Sequence, residues 1–138
     1  PNTLVFLIQK ELAERIARSK KESLLSLSVK VFGKPEYVTT VKRGHFTPSP
    51  KVDSAIIAIT GISGDAFNTI SSETFFNILH AGFGQKRKQL QHNLKDLYEK
   101  EAVFAALKEL NLTETVRAED VSLDNWLKLV DILESNRG

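Results

Sequence analysis

Thr3-Leu4-Val5-Phe6-Leu7-Ile8, followed without a break by Gln9-Lys10-Glu11-Leu12-Ala13-Glu14-Arg15-Ile16-Ala17-Arg18, is the stretch on which the fold class turns. Its opening residues are β-favouring and almost continuously apolar, the pattern of a strand buried on both faces as in a parallel α/β sheet. From Lys10 the spacing becomes helical, with Leu12, Ala13, Ile16 and Ala17 sharing one stripe. A strand that feeds a crossover helix is therefore expected here. Residues 22–32 repeat helical character through Leu24, Leu25, Leu27, Val31 and Phe32, although Ser26, Ser28 and Val29 would also suit a strand. Gly33 and Pro35 supply the stop.

Further along, residues 36–41 and 55–60 are β-branched and predict two more strands. Residues 42–54 between them are too long for a tight hairpin, and unstructured loops of such length are often functional. Residues 61–65 read as a linker, after which the β signal disappears. Ser71 or Ser72 caps a helix bearing Phe75, Phe76, Leu79 and Phe83. A helix over residues 86–98 is expected from Leu90, Leu94 and Leu97, and another over 100–110 from Val103, Phe104 and Leu107. Ser122 caps a last helix that turns Trp126, Val130 and Leu133 inward. The chain thus divides into residues 1–62, carrying strands, and residues 63–138, a small all-α lobe.

At 138 residues the chain is long enough for a real core, and with no cysteine it has no thiolate nucleophile, disulfide or thiolate metal site. A cytoplasmic protein is the corresponding expectation. No apolar run approaches the ~20 residues of a membrane span, so no membrane partner is expected. Methionine is absent and the chain opens at Pro1 directly before a strand-like run, which suggests a piece of a longer protein. Net charge is only +2 but unevenly spread. Lys34, Lys42, Arg43 and Lys51 outnumber Glu36 in one segment, and Lys86, Arg87, Lys88, Lys95 and Lys100 outnumber Asp96 and Glu99 in another. The tail from residue 111 is acidic. Such blocks point to one face for a polyanion and another for water.

Catalytic constellations are scarce. His45, His80 and His92 lack metal-ligand spacing, so no metal is expected, and no Walker loop, nucleophile elbow or dinucleotide fingerprint occurs. Two segments remain. In residues 44–54, Pro48 and Pro50 stiffen a loop with Phe46 at its base and Lys42, Arg43 and Lys51 beside it. That suits an aromatic stacked on a base while cations hold phosphates, or a proline-rich turn with Phe46 in the core. In residues 83–94, Lys86, Arg87 and Lys88 fall in the expected first helical turn, where cations oppose the helix dipole. They form either a solvated basic turn or a seat for phosphate.

Four motifs, in order and spacing, resemble one family. They are Gln9-Lys10-Glu11-Leu12-Ala13-Glu14-Arg15-Ile16; Phe46-Thr47-Pro48-Ser49-Pro50-Lys51-Val52-Asp53-Ser54; Phe83-Gly84-Gln85-Lys86-Arg87-Lys88 with Asn93-Leu94-Lys95; and Arg117-Ala118-Glu119-Asp120 with Ser122-Leu123. Together they resemble the C-terminal half of the small-subunit ribosomal RNA adenine dimethyltransferases, the KsgA family. The resemblance implies an α+β fold: the C-terminal strands and crossover helices of a Rossmann-like methyltransferase domain (residues 1–62, incomplete), then a helical RNA-binding lobe (63–138). It implies an enzyme that uses S-adenosylmethionine to dimethylate two adjacent adenosines near the 3′ end of small-subunit rRNA, with that rRNA or the immature small subunit as partner. Phe46 matches the aromatic that flanks the extruded adenine, and Pro48, Pro50, Lys51, Val52 and Ser54 match the loop that holds it. Lys86, Arg87 and Lys88 match a basic RNA-binding stretch, although the family usually begins it with arginine. Ser49 stands where a third proline is common.

The family's glycine-rich cofactor loop and Asn-Leu-Pro-Tyr-type motif find no match here, so the chain by itself is expected to be inactive. Self-pairing through an exposed strand edge is a further expectation. The large-subunit methylases of macrolide resistance share the Phe46 loop and form one alternative. A stand-alone RNA-binding or ribosome-assembly module is another.

Overall fold

The computed structural model describes residues 2–45 and 51–137, and the chain divides into two units, residues 1–20 with 25–64 and residues 21–24 with 65–138. In the first unit β1 (Leu4–Gln9) runs straight into α1 (Lys10–Ala17), followed by α2 (Leu24–Lys30), β2 (Lys34–Val41) and β3 (Ser54–Thr60). The sheet order is β1-β3-β2 and both pairings are antiparallel. Isoleucine-rich β3 therefore sits in the middle, with Ala55 and Ile57 fully buried and Ala58 and Ile59 nearly so. Ala13 and Ile16 of α1 are buried as their spacing predicts, and α1 packs on all three strands. Gly33 is required where the chain enters β2. A Cβ there would lie 2.7 Å from Ile59 Cγ2 and 2.9 Å from the Thr60 carbonyl oxygen, so any side chain would force β2 away from β3.

β1 differs from its expectation. Instead of a strand buried on both faces in a parallel sheet, it is an edge strand that pairs, among the described residues, with β3 alone. Leu4, Val5 and Leu7 are 47, 64 and 47% exposed. A continuous apolar run signals burial only where neighbours cover both faces, and here the described residues do not supply them.

The second unit comprises α3 (Ser72–Gly82), α4 (Leu90–Asn93), α5 (Lys100–Glu109) and α6 (Leu123–Ser135). Ser71 and Ser122 cap α3 and α6, their hydroxyls accepting from the Thr74 and Asn125 backbone N–H groups at 3.4 and 3.2 Å. The core joins Phe75 and Leu79 of α3 to Leu90, Leu94, Val103 and Leu107, and to Trp126, Leu129 and Val130 of α6, all fully buried. Segment 21–24 is pinned to this unit by the Lys21–Asp120 ion pair and by the Glu22 N–H donating to the Glu119 carbonyl at 2.9 Å. Burial and a hydrogen bond to Glu134 push the Tyr98 hydroxyl well above its usual range. Among the described residues no helix is long and apolar enough to cross a membrane.

The helix expected over residues 86–98 shrinks to the four residues of α4. Leu90 donates its N–H to the Val116 carbonyl at 2.8 Å, and the Asn93 side-chain amide donates to the carbonyls of Gly82 and Gln85 at 2.7 and 3.0 Å. These longer-range bonds hold residues 83–89 as an irregular turn. Lys86, Arg87 and Lys88 consequently lie outside any helix, and the expected opposition between their charge and a helix dipole does not arise.

Candidate nucleic-acid interface

The β2–β3 hairpin gathers Lys42, Arg43, Lys51 and Val52 at one end, because antiparallel pairing returns the chain to where it left the sheet. Asp53 ties the two arms together. Its Oδ1 accepts the Arg43 backbone N–H at 2.9 Å, its Oδ2 lies 3.7 Å from Lys42 Nζ, and its carbonyl accepts the Lys10 N–H at 3.0 Å. The Arg43 guanidinium in turn donates to the Lys51 carbonyl at 3.1 Å. Around this clasp lies an open cleft of about 700 Å³, to which Lys10, Lys42, Arg43 and Lys51 contribute cations and Glu11, Glu14 and Asp53 carboxylates. Val52 is half exposed, whereas Ser54 stands in β3 itself, in register with Gln9 and Val41. Phe46, Pro48 and Pro50 lie outside the described residues.

The Arg43 N–H bond, with lesser help from the charges of Lys42, Lys10 and Arg43, holds the Asp53 carboxyl below its ordinary value of 3.8 against the opposing effect of partial burial. A depressed folded value means that the clasp adds stability above pH 3.8 and loses it as pH falls through that lower value. Asp53→Ala should accordingly speed amide exchange at Arg43 by about three- to tenfold at neutral pH, the worth of one modest hydrogen bond. Asp53→Asn, which keeps an acceptor, should change it less. Exchange unaffected by either substitution would show that the clasp does not hold the loop.

In the second unit Lys86, Arg87 and Lys88 are all exposed on the turn that Asn93 holds. The two basic groups therefore belong to different units, each on a loop braced from elsewhere in the sequence. Asp53, Lys10 and Asn93 are contributors that residue-type reasoning passes over. An isolated carboxylate within the basic run 42–53 was the available signal for Asp53. Among the described residues no cluster of histidine, aspartate and glutamate could hold a metal ion. Nor do these residues form a cradle for a nucleoside cofactor: β1 passes into α1 from Gln9 to Lys10 with no glycine, and the cations of the cleft suit phosphate better than a sulfonium.

The profile of the family described as ribosomal RNA adenine dimethylase matches residues 1–135. A ribosomal RNA small subunit methyltransferase A from Fusobacterium nucleatum is 40% identical over 132 residues, which cover 93% of this chain and 50% of that protein. The chain spans about half the length of the curated relatives it matches. Among solved structures, a dimethyladenosine transferase from Plasmodium falciparum superposes with a TM-score of 0.74 at 26% identity, covering 93% of this chain and 55% of that one. The 23S rRNA methyltransferase ErmE superposes with a TM-score of 0.70 at 25% identity, covering 96% and 55%. The α+β class expected from the sequence agrees with these folds.

Proposed function

Because the chain belongs to the ribosomal RNA adenine dimethylase family, we propose that it is the RNA-holding portion of a cytoplasmic enzyme that dimethylates two adjacent adenosines near the 3′ end of small-subunit rRNA during ribosome biogenesis. The match over residues 1–135, together with 40% identity to a small-subunit methyltransferase, carries this reading. The likeness to a large-subunit enzyme supports the alternative substrate less well, at 25% identity. S-adenosylmethionine is the methyl donor of the proposed reaction, and no residue of this chain is assigned to it.

What the chain's own residues do is grip and align. Lys42, Arg43 and Lys51 hold phosphates at the loop. Phe46 stacks on the extruded adenine in a loop stiffened by Pro48 and Pro50, with Val52 and Ser54 at its return. Lys86, Arg87 and Lys88 hold the backbone of the same RNA. Alignment of an amine against a donor requires no protein nucleophile. The apolar edge of β1 adds a tendency to self-pair at high concentration.

The test uses a single-stranded oligoribonucleotide carrying the two adjacent adenosines. Phe46→Ala should weaken its binding by about 5- to 150-fold, the worth of one base–aromatic stack, and Phe46→Tyr should retain most of the affinity. A Phe46→Ala chain that is destabilised to heat but binds normally would return Phe46 to the core. Preference for a large-subunit oligonucleotide would favour the alternative substrate.

A further inference from the structure

A concavity of about 250 Å³ lies within the helical unit. Leu24, Phe83 and Ala118 give it apolar lining, Lys86 and Lys88 bring two cations, and Glu22 and Glu119 bring two carboxylates. The Phe83 ring is stacked against Trp126, with centroids 5.7 Å apart and planes at 24°, yet is only half buried. Its position is fixed from behind by a rigid partner while part of the ring stays accessible. The Asn93 bonds to the Gly82 and Gln85 carbonyls brace the turn that carries both lysines. Neither lysine takes part in an ion pair among the described residues.

We propose that this concavity is a second base-binding site, which receives one unstacked base of single-stranded RNA against Phe83 while Lys86 and Lys88 meet the flanking phosphates. Size favours a single ring system, since the volume falls below the ~300–1,000 Å³ of pockets that take larger ligands. The lining as a whole carries as many carboxylates as cations, so the choice of a nucleotide over an apolar side chain rests on Lys86 and Lys88. These join no ion pair among the described residues and stand beside an accessible aromatic, the combination by which single-stranded RNA is held. The inference rests on the reading of the chain as RNA-binding, and it goes beyond that reading by making the basic turn a reader of a base as well as of backbone. The RNA would then be gripped at a base in each unit.

Trp126 is the single tryptophan of the chain, so its fluorescence reports on Phe83 directly. The full chain is titrated with a six-nucleotide oligoadenylate and with an abasic ribose-phosphate oligomer of the same length. Oligoadenylate should bind about 5–150-fold tighter and alter the Trp126 emission, and Phe83→Leu should lower oligoadenylate affinity by at least about fivefold relative to the abasic reference. Equal loss for both oligomers, or no loss, overturns the proposal. Should Phe83→Leu prove unstable, the unaltered chain decides. A 4-thiouridine placed within the oligoadenylate should crosslink to Leu24 or to residues 83–88, and crosslinks confined to residues 42–54 would refute the site. If both oligomers bind equally to the unaltered chain, backbone binding stands and the base site fails. If neither binds, the RNA reading itself fails and the base site with it.

Discussion

Trp126→Ala should cost the helical unit about 3–5 kcal/mol, the usual penalty for emptying a core position of that size. The residue is fully buried, its indole N–H donates to the Ala118 carbonyl at 3.3 Å, and its ring stacks on Phe83. The substitution therefore leaves a cavity and removes one of the two hydrogen bonds of the Ala118 carbonyl, which keeps the Val121 N–H at 3.2 Å. Fit is equally tight from the other side, where a Cβ on Gly82 would lie 2.6 Å from Trp126 Cη2 and 3.0 Å from Leu90 Cδ1. Gly82→Val should thus also destabilise, by about 1–3 kcal/mol through overpacking. Thermal unfolding followed by circular dichroism should show Trp126→Ala melting more than about 10 °C lower. A shift within about 3 °C would mean that α3 and α6 are not held by this contact.

Replacing Lys86, Arg87 and Lys88 together by alanine should weaken RNA binding by about 100- to 500-fold at 0.1 M salt. Each phosphate neutralised contributes about 0.7 to 0.9 to the dependence of log affinity on log salt, and 0.1 M lies one decade below the concentration at which that contribution vanishes. The slope itself should fall by about two to three units, with little change in preference among sequences. Heat stability should be unaffected, because the three side chains are exposed. Filter binding at four salt concentrations provides the check, and an unchanged slope would assign these residues to a solvated surface turn.

Much of the architecture is legible in the sequence because local signals and tertiary demands agree. Ser71 and Ser122 announce their helices, Trp126 and Val130 repeat at helical spacing, and the isoleucines of β3 mark the central strand. Where reading by pattern fails, the deciding interaction is distant in sequence. The leucine spacing of residues 90–97 looks helical, yet Leu90 donates its N–H to Val116 and the Asn93 side-chain amide holds Gly82 and Gln85, so residues 86–89 stay an irregular turn and the helix begins only at Leu90. The apolar run of β1 reads as buried, yet burial depends on neighbours that a strand's own residues cannot specify. At the candidate interface the basic residues were evident from composition. Asp53 was not, because its importance lies in reaching Arg43, Lys42 and, through its carbonyl, Lys10 at once. The Arg18 guanidinium over the Tyr37 ring, at 3.7 Å, is likewise invisible until β2 is laid beside α1.

The modification state of small-subunit rRNA tests the proposed role most directly. The gene encoding the chain is disrupted in its own organism, and the 3′-terminal region of the small-subunit rRNA is digested and weighed by mass spectrometry. Two neighbouring N6,N6-dimethyladenosines should disappear and return when the gene is restored. Both dimethyladenosines persisting in the disrupted strain would contradict it.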